Sequence, residues 1–219
     1  MNPPGSIDEL QTRAEALAGR TIAELARHHG MAVSGNPRRT KGLVGQLAEL
    51  ALGATAASRP EPDFNHLGVE LKTVPINAAG NPAESTYVCV APMRPAAGNR
   101  FEQSPVAAKL AHVLWLPIES SSQVPLEQRR FGLARLWRPS AADWARLKTD
   151  WEELTEQISL GQVQSITARH GVVLQLRPKG RNSRDLVAAM GPQGNLIQTN
   201  PRGFYLRAHF TSEVLSRPF

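Results

Sequence analysis

Cysteine is almost absent from this sequence, in which Cys89 is the single thiol among 219 residues. One cysteine excludes an internal disulfide and is typical of proteins that work in a reducing compartment. Because Cys89 lies within the strand-like run Tyr87-Val88-Cys89-Val90, we expect it to be a buried strand residue and not a catalytic nucleophile.

Long apolar runs and a secretory leader are also missing. No segment reaches the roughly 20 apolar residues that span a bilayer, and residues 1–6 lack the basic and apolar stretches of a signal peptide. The sequence therefore predicts a cytoplasmic protein that has no membrane partner. A hydrophobic content of 41% suffices for a substantial core.

Negative charge is scarce near the carboxyl end, and this imbalance produces the net charge of +6. Residues 169–210 contain seven basic side chains and one acid, Asp185, which from totals of 25 and 19 leaves eighteen of each sign elsewhere. A basic cluster of this kind indicates either a nucleic-acid partner or a solvated arginine-rich loop.

The stretch from Pro62 to Lys72 contains the residue types of a metal-dependent nuclease. Asp63 follows Pro62, and after six residues come Glu70 and Lys72, which alternate with apolar neighbours. Residues two apart share a face of a strand, so Glu70 and Lys72 would face away from the core. Two carboxylates suit Mg²⁺, and a lysine beside them can orient the water that attacks a phosphodiester. An ordinary solvated Glu–Lys pair is the alternative that the triplet leaves open.

Hydrophobic periodicity predicts a mixed α/β protein. Helices are expected after three N-cap residues, namely Ser6, Thr21 and Ser140. A further helix would bury the stripe Leu43, Leu47, Leu50 and Ala54. Strands are expected over residues 68–74, 85–92, 113–118, 131–137, 163–168 and 172–177, the last two joined as a hairpin through 169–171. A short helix is expected over residues 186–190.

Two other charged residues have no role that their local sequence assigns. Glu49 lies off the apolar stripe of its helix, and Lys109 lies just upstream of the strand expected at 113–118. Simple exposure to solvent accounts for Glu49. Lys109 either projects towards the same cleft as Lys72 or is solvated, and the sequence favours the second.

Two basic loops flank the helix expected at residues 186–190. The first contains Arg177 and Lys179, which can contact N7 and O6 of guanine, followed by Asn182, which can pair with adenine. The second contains Arg202 and Tyr205 and could approach a DNA groove from the other side.

Together these motifs resemble the MutH family of mismatch-repair endonucleases over nearly the whole chain. The resemblance rests on Lys41-Gly42, Pro62-Asp63, Glu70-Leu71-Lys72 and the segments 87–92, 160–163, 166–171 and 201–206. It implies the restriction-endonuclease-like fold, a mixed central sheet flanked by helices with two arms around a DNA-binding cleft. We expect a single domain over residues 1–219, with the metal site in a lobe at 1–110 and most recognition loops in a lobe at 111–219.

The resemblance also implies roles for the acidic site. Asp63 and Glu70 would ligate Mg²⁺, and Lys72 would position the nucleophilic water. Glu49 would complete the acidic cluster from its helix, and Lys109 would lie near the scissile phosphate.

Further residues would contact DNA. Arg177, Lys179 and Tyr205 fall where the family reads GATC, and Lys41 falls near the DNA backbone. Tyr87 stands where the best-known member has phenylalanine, at a position connected with the sensing of adenine methylation.

The activity implied by the resemblance is cleavage 5′ to the G on the unmethylated strand of hemimethylated GATC. MutL would stimulate it after MutS finds a mismatch, and one active site per chain is consistent with nicking by a monomer. A restriction enzyme that cuts both strands at GATC and a non-catalytic DNA-binding adaptor are the two alternatives.

Overall fold

The computed structural model of the chain describes residues 2–33, 42–56, 61–96, 98–167, 169–180, 182 and 184–217. Lys41, expected near the DNA backbone, lies outside the described residues. The chain forms two compact units: Met1–Glu84, Ala111–Arg138 and Ser212–Phe219 make the first, and Ser85–Leu110 and Pro139–Thr211 make the second. These units interleave along the chain, and the single domain with lobes at 1–110 and 111–219 stays a prediction.

Three helices of the first unit are α1 (Ile7–Glu15), α2 (Ile22–His28) and α3 (Leu43–Leu52). The N-cap expected at Thr21 is confirmed. It forms a capping box, because the Thr21 hydroxyl accepts from the Glu24 amide and the Glu24 carboxylate accepts from the Thr21 amide. Capping by the Ser6 hydroxyl is confirmed as well.

The buried face of α3 differs from the expected stripe. Leu43 and Leu47 are buried, whereas Leu50 is 41% exposed. The helix ends at Leu52 because Gly53 adopts a left-handed conformation with φ of 78°. A Cβ at Gly53 would lie 2.7 Å from a backbone oxygen, so the glycine is required at this close approach.

The sheet of the first unit contains β1 (Glu70–Ile76), β3 (Val113–Glu119) and β4 (Arg135–Trp137), in the order β1-β3-β4. Strands β1 and β3 are parallel, and β3 and β4 are antiparallel. One face of this sheet and the helices α1, α2 and α3 share a core. The strand residues in that core are Leu71, Leu114, Leu116, Ile118 and Leu136. The other face carries Glu70 and Lys72, because they alternate with Leu71. The strand expected at 113–118 is confirmed as β3, the central strand of this sheet.

The second unit contains the antiparallel sheet β2-β8-β5 and the hairpin β6-β7. The strand bounds are Thr86–Val90 for β2, Leu174–Pro178 for β5, Val187–Met190 for β6, Leu196–Thr199 for β7 and Arg202–Leu206 for β8. The second unit also contains the helices α4 (Pro105–Leu110) and α5 (Ala141–Ser159), and the last helix, α6 (Ala208–Ser216), begins in the second unit and ends in the first. The N-cap predicted at Ser140 is confirmed by a capping box with Asp143.

Two expected elements are wrong. No strand covers the described residues of 163–168, so the hairpin through 169–171 does not form; Ser165 instead closes a turn onto the Gln162 carbonyl at 2.9 Å. The burial of Val163 and Ile166 in this turn explains the strand-like pattern. The expected helix at 186–190 is strand β6, since the segment pairs with β7 across a turn in which the Gly191 amide donates to the Asn195 carbonyl.

The mixed α/β class is confirmed. The described strands divide among three sheets, of which β1-β3-β4 is the mixed one. Among the described helices, none combines the length and the apolar composition that crossing a bilayer requires.

Candidate active site and nucleic-acid interface

A tight turn brings Asp63 to the beginning of β1. Phe64 and Val69 pair through two backbone hydrogen bonds, with N–O distances of 2.9 and 3.2 Å. The Asp63 carboxylate accepts a hydrogen bond from the Leu71 amide at 2.8 Å. Asp63 and Glu70, seven positions apart in sequence, are therefore neighbours across the turn.

The backbone of Asp63 is fixed by the segment that follows α3. Its carbonyl accepts hydrogen bonds from the amides of Thr55 and Ala56, at 3.0 and 3.3 Å. Since both the carbonyl and the carboxylate of Asp63 are engaged, the turn presents this acid in a defined position before any ligand binds.

Glu70 and Lys72 form a buried ion pair. Lys72 Nζ lies 2.6 Å from Glu70 Oε1, and the side chains are 12% and 4% exposed. The Glu70 amide donates to the His112 carbonyl at 3.0 Å, which connects this end of β1 to the residue preceding β3. An exposed pair would be a solvated surface feature of little energetic weight, so the burial of both partners contradicts that alternative.

Helix α3 carries Glu49 and belongs to the first unit, as does β1. The helix packs on β1, and a Cβ at Gly45 would lie 4.0 Å from the Thr73 hydroxyl. Residues four apart lie on the same side of a helix, so Glu49 is on the side of Gly45, towards β1. Glu49 is half-buried.

The oxygen donors of Asp63 and Glu70 fit a hard divalent cation such as Mg²⁺. Within the part of the chain that the structure describes, no three carboxylate, imidazole or thiol side chains are arranged to hold a metal ion. Asp63 and Glu70 would hold a cation as a pair of carboxylates, and water or substrate oxygens can supply further ligands.

Four residues expected to bind DNA share one face of the sheet β2-β8-β5 and are called the aromatic–basic cluster: Tyr87, Arg177, Lys179 and Tyr205. Tyr87 and Tyr205 are direct partners across β2 and β8, with ring centroids 5.3 Å apart in an edge-to-face arrangement. Lys179 Nζ lies 3.7 Å from the centre of the Tyr87 ring, and Arg177 Cζ lies 5.7 Å from that of Tyr205. Each cation thus stacks on one ring.

Gly203 makes this packing possible, a role that sequence reasoning missed. A Cβ at this position would lie 2.9 Å from Cε2 of Tyr87 and 3.3 Å from Cε2 of Tyr205. Glycine within a strand is the signal that could have revealed it, because it marks a close approach by another group.

Comparison with known proteins gives full-length relatives. A relative from Shewanella woodyi, named DNA mismatch repair protein MutH, is 54% identical over 216 residues, covering 99% of this chain and 94% of the relative. The protein of the same name from Vibrio cholerae is 53% identical over 214 residues, covering 98% and 97%. The family model described as DNA mismatch repair enzyme MutH matches residues 52–150. The chain belongs to the MutH family.

Membership in the MutH family confirms the resemblance drawn from the sequence motifs and the assignment as a DNA endonuclease. The mixed α/β architecture agrees with the restriction-endonuclease-like fold implied for this family. The residues matched by the family model include Asp63, Glu70 and Lys72.

Arg202 and Lys109 are two further site residues expected in this MutH-family chain. Arg202 alternates with Gly203 on β8 and so faces the side of the sheet opposite the aromatic–basic cluster. Its Nε atom is buried and has no hydrogen-bond partner, and burial lowers the pKa of its guanidinium from the ordinary value. Lys109 is half-buried on α4 in the second unit.

Proposed function

We propose that this protein is a Mg²⁺-dependent endonuclease of mismatch repair that nicks the unmethylated strand 5′ to the G of hemimethylated GATC sites. The observation that carries the proposal is the arrangement of Asp63 next to the buried Glu70–Lys72 pair at the beginning of β1. We place this activity in the cytoplasm.

Asp63 and Glu70 would hold the cation. When bound, Mg²⁺ supplies charge neutralisation at the phosphate and lowers the pKa of a water ligand. The Leu71 amide fixes one oxygen of Asp63, and Lys72 contacts one oxygen of Glu70. A carboxylate has two oxygens with several acceptor sites, so a contact at one oxygen is compatible with a cation bound by the same group.

Lys72 would orient the attacking water and stabilise negative charge that develops on the phosphate. Its ammonium has three N–H donors, and the contact with Glu70 at 2.6 Å engages one of them. Such a preorganised cation in a site shielded from water is worth more than an exposed one, because the local dielectric is low.

Two further residues would take part in cleavage. Glu49 would contribute negative charge from the β1 side of α3, which favours a divalent cation in the first unit. Lys109 would contact the scissile phosphate, and its position at the carboxyl end of α4 is one where a cation is favoured.

The aromatic–basic cluster would read the GATC sequence. Arg177 and Lys179 can donate to N7 and O6 of guanine in the major groove. Tyr205 and its partner Tyr87 would contact the adenine, where a methyl group on N6 would meet rings that are already packed 5.3 Å apart. Lys41 would contact the DNA backbone, and Arg202 would approach the DNA from its own side of β8.

Partners follow from the same proposal. Double-stranded DNA that contains GATC is the substrate, and MutL would activate cleavage after MutS has found a mismatch. One set of Asp63, Glu70 and Lys72 per chain supplies one cutting centre, so a monomer would cut one strand.

The proposal is tested by incubating a hemimethylated GATC plasmid with the protein and Mg²⁺, with and without MutL, and mapping the cut bond. We expect nicked circles cut 5′ to G on the unmethylated strand, faster with MutL and absent in chelator. Linear DNA from an unmethylated plasmid would support a restriction enzyme instead. Chelator-resistant binding with intact DNA would support a non-catalytic adaptor.

A further inference from the structure

A buried carboxylate in the second unit holds the chain immediately before β5. Asp150 lies on α5 and is 2% exposed. Its oxygens accept hydrogen bonds from three consecutive backbone amides: Val172 at 2.8 Å, Val173 at 2.6 Å and Leu174 at 2.7 Å.

The same turn is held from its carbonyl side by Arg207. The guanidinium donates from Nε to the Gly171 carbonyl at 3.1 Å and from Nη2 to the His170 carbonyl at 3.0 Å. Gly171 has φ of +75°, and a Cβ there would lie 1.9 Å from the Leu174 oxygen. Residues 170–174 therefore form a turn whose amides and carbonyls are both fixed by side chains, and we call it the clamped turn.

The clamped turn leads directly into β5, which carries Arg177 and is followed immediately by Lys179, two members of the aromatic–basic cluster. Strand β5 begins at Leu174, and Arg177 and Lys179 follow after three and five residues. In its sheet β5 is an edge strand, with β8 as its neighbour. An edge strand has hydrogen bonds to a strand on one side, so its alignment depends strongly on how it is anchored at its end.

The charge on Asp150 points to this anchoring role. Burying a carboxylate is costly unless hydrogen bonds compensate for the lost water. The three short amide contacts provide that compensation, whereas packing of α5 alone would be served by an apolar side chain. The carboxylate therefore makes the position of the turn specific, since only one placement satisfies its oxygens.

We propose that Asp150 is a positioning residue for base recognition, which acts by fixing the clamped turn and hence the placement of Arg177 and Lys179. This inference rests on the proposed function, because it assumes that the aromatic–basic cluster reads GATC. Asp150 itself contacts only the protein backbone in this role.

Helix α5 offers a matched control. Asp143 is a second buried aspartate, 1% exposed, and its carboxylate also accepts a backbone amide, that of Ser140 at 3.0 Å. It caps the beginning of the helix and makes no contact with the clamped turn among the hydrogen bonds described. Asp150→Asn and Asp143→Asn are thus the same chemical change in the same helix at similar burial.

The experiment measures the dissociation constants of the full chain for a GATC duplex and for a duplex with one base pair changed, in Ca²⁺ to prevent cleavage. Wild type should prefer GATC. Asp150→Asn should lower the preference about tenfold, comparable with the loss of one good base contact. Its affinity for the changed duplex should stay within about twofold, since phosphate contacts are retained. Asp143→Asn should keep the wild-type preference even if its Tm falls.

A second variant covers the case in which Asp150→Asn does not fold. Arg207→Gln removes the contacts to the His170 and Gly171 carbonyls while leaving Asp150 in place, and it should lower the preference in the same direction. If Asp150→Asn folds and its preference for GATC is unchanged, this inference is overturned and the proposed function is not. The same holds for an unchanged preference in Arg207→Gln if Asp150→Asn does not fold. Equal losses in Asp150→Asn and Asp143→Asn would also overturn it. A wild type without preference for GATC would overturn the proposed function as well.

Discussion

Lys72 and Glu70 are held together at 2.6 Å in a pair that is almost completely buried, two residues apart on one face of β1. The chain also contains an exposed counterpart, Lys148 and Glu102, whose atoms approach to 2.7 Å with side chains 41% and 49% exposed. The two pairs have nearly equal N–O distances, so the difference in burial sets how much each pair contributes to stability.

Replacing Lys72 by alanine should slow cleavage strongly while binding of GATC DNA persists. The nicking rate should fall by about 10²–10³, as when a preorganised electrostatic group is removed from an active site. Without metal, the variant should also lose about 3–5 kcal/mol of unfolding free energy, because the buried Glu70 carboxylate loses the cation that faces it. Single-turnover nicking and urea unfolding measure the two effects.

The control is Lys148→Ala, which breaks the exposed pair. It should leave both the nicking rate and the urea midpoint close to wild type, since solvent screens exposed charges. If Lys72→Ala nicked as fast as Lys148→Ala, the assignment of Lys72 to the chemistry would be wrong.

Strand β1 is predictable from the sequence because the pattern that specifies it is local. Glu70 and Lys72 alternate with Val69 and Leu71, and this period of two fixes which residues face the core whatever the rest of the chain does. The helix after Ser140 is predictable for the same reason, since its cap and its apolar spacing lie within one segment.

The remainder depends on contacts that no local pattern encodes. Residues 186–190 are too few to decide between helix and strand, and pairing with β7 makes them a strand. The clamped turn is set by Asp150, which is 22 to 24 residues away from the amides it accepts. Gly203 is required by a ring from another strand, that of Tyr87, so its role appears only in the folded protein.

Gly203→Ala should disturb the aromatic–basic cluster. The added methyl group would lie 2.9 Å from the Tyr87 ring, so the two tyrosine rings must move apart. We expect a loss of about 1–3 kcal/mol in unfolding free energy, as for overpacking in general, together with weaker selectivity for GATC. Thermal unfolding and binding to matched duplexes measure these changes.

Gly45→Ala is the matched control on α3. A Cβ there would be 4.0 Å from the Thr73 hydroxyl, which is ordinary contact, and alanine is favoured over glycine within a helix by about 0.5–1 kcal/mol. This variant should be slightly more stable and keep its selectivity. A Gly203→Ala protein that behaved like Gly45→Ala would show that the rings do not need the glycine.

Glu24 gives a pH dependence to the stability of the first unit. The hydrogen bond from the Thr21 backbone lowers the pKa of the Glu24 carboxyl below its ordinary value of 4.5. The unfolded chain binds the proton more readily, so the stabilisation is complete above pH 4.5 and is lost as pH falls through the lower folded pKa. The Tm of Glu24→Gln should therefore fall less than that of wild type on acidification below pH 4.5.

An exposed glutamate outside a capping box serves as the comparison for Glu24. Glu127→Gln should reproduce the wild-type decline of Tm over the same pH range. Parallel curves for wild type and Glu24→Gln would mean that the capping box does not contribute the pH dependence.

Asp63 has a structural contact and a proposed metal contact, and two substitutions separate them. Asp63→Asn retains an oxygen that can accept from the Leu71 amide, whereas Asp63→Ala leaves that amide without its 2.8 Å acceptor. Asn should therefore have a Tm near wild type, while Ala should lose about 1 kcal/mol or more of unfolding free energy. Both variants should fail to nick, because neither has the carboxylate that would hold Mg²⁺. Mg²⁺ should raise the Tm of wild type by mass action and leave that of Asp63→Asn unchanged. Nicking by Asp63→Asn at the wild-type rate would restrict Asp63 to its bond with Leu71 and remove it from the metal site.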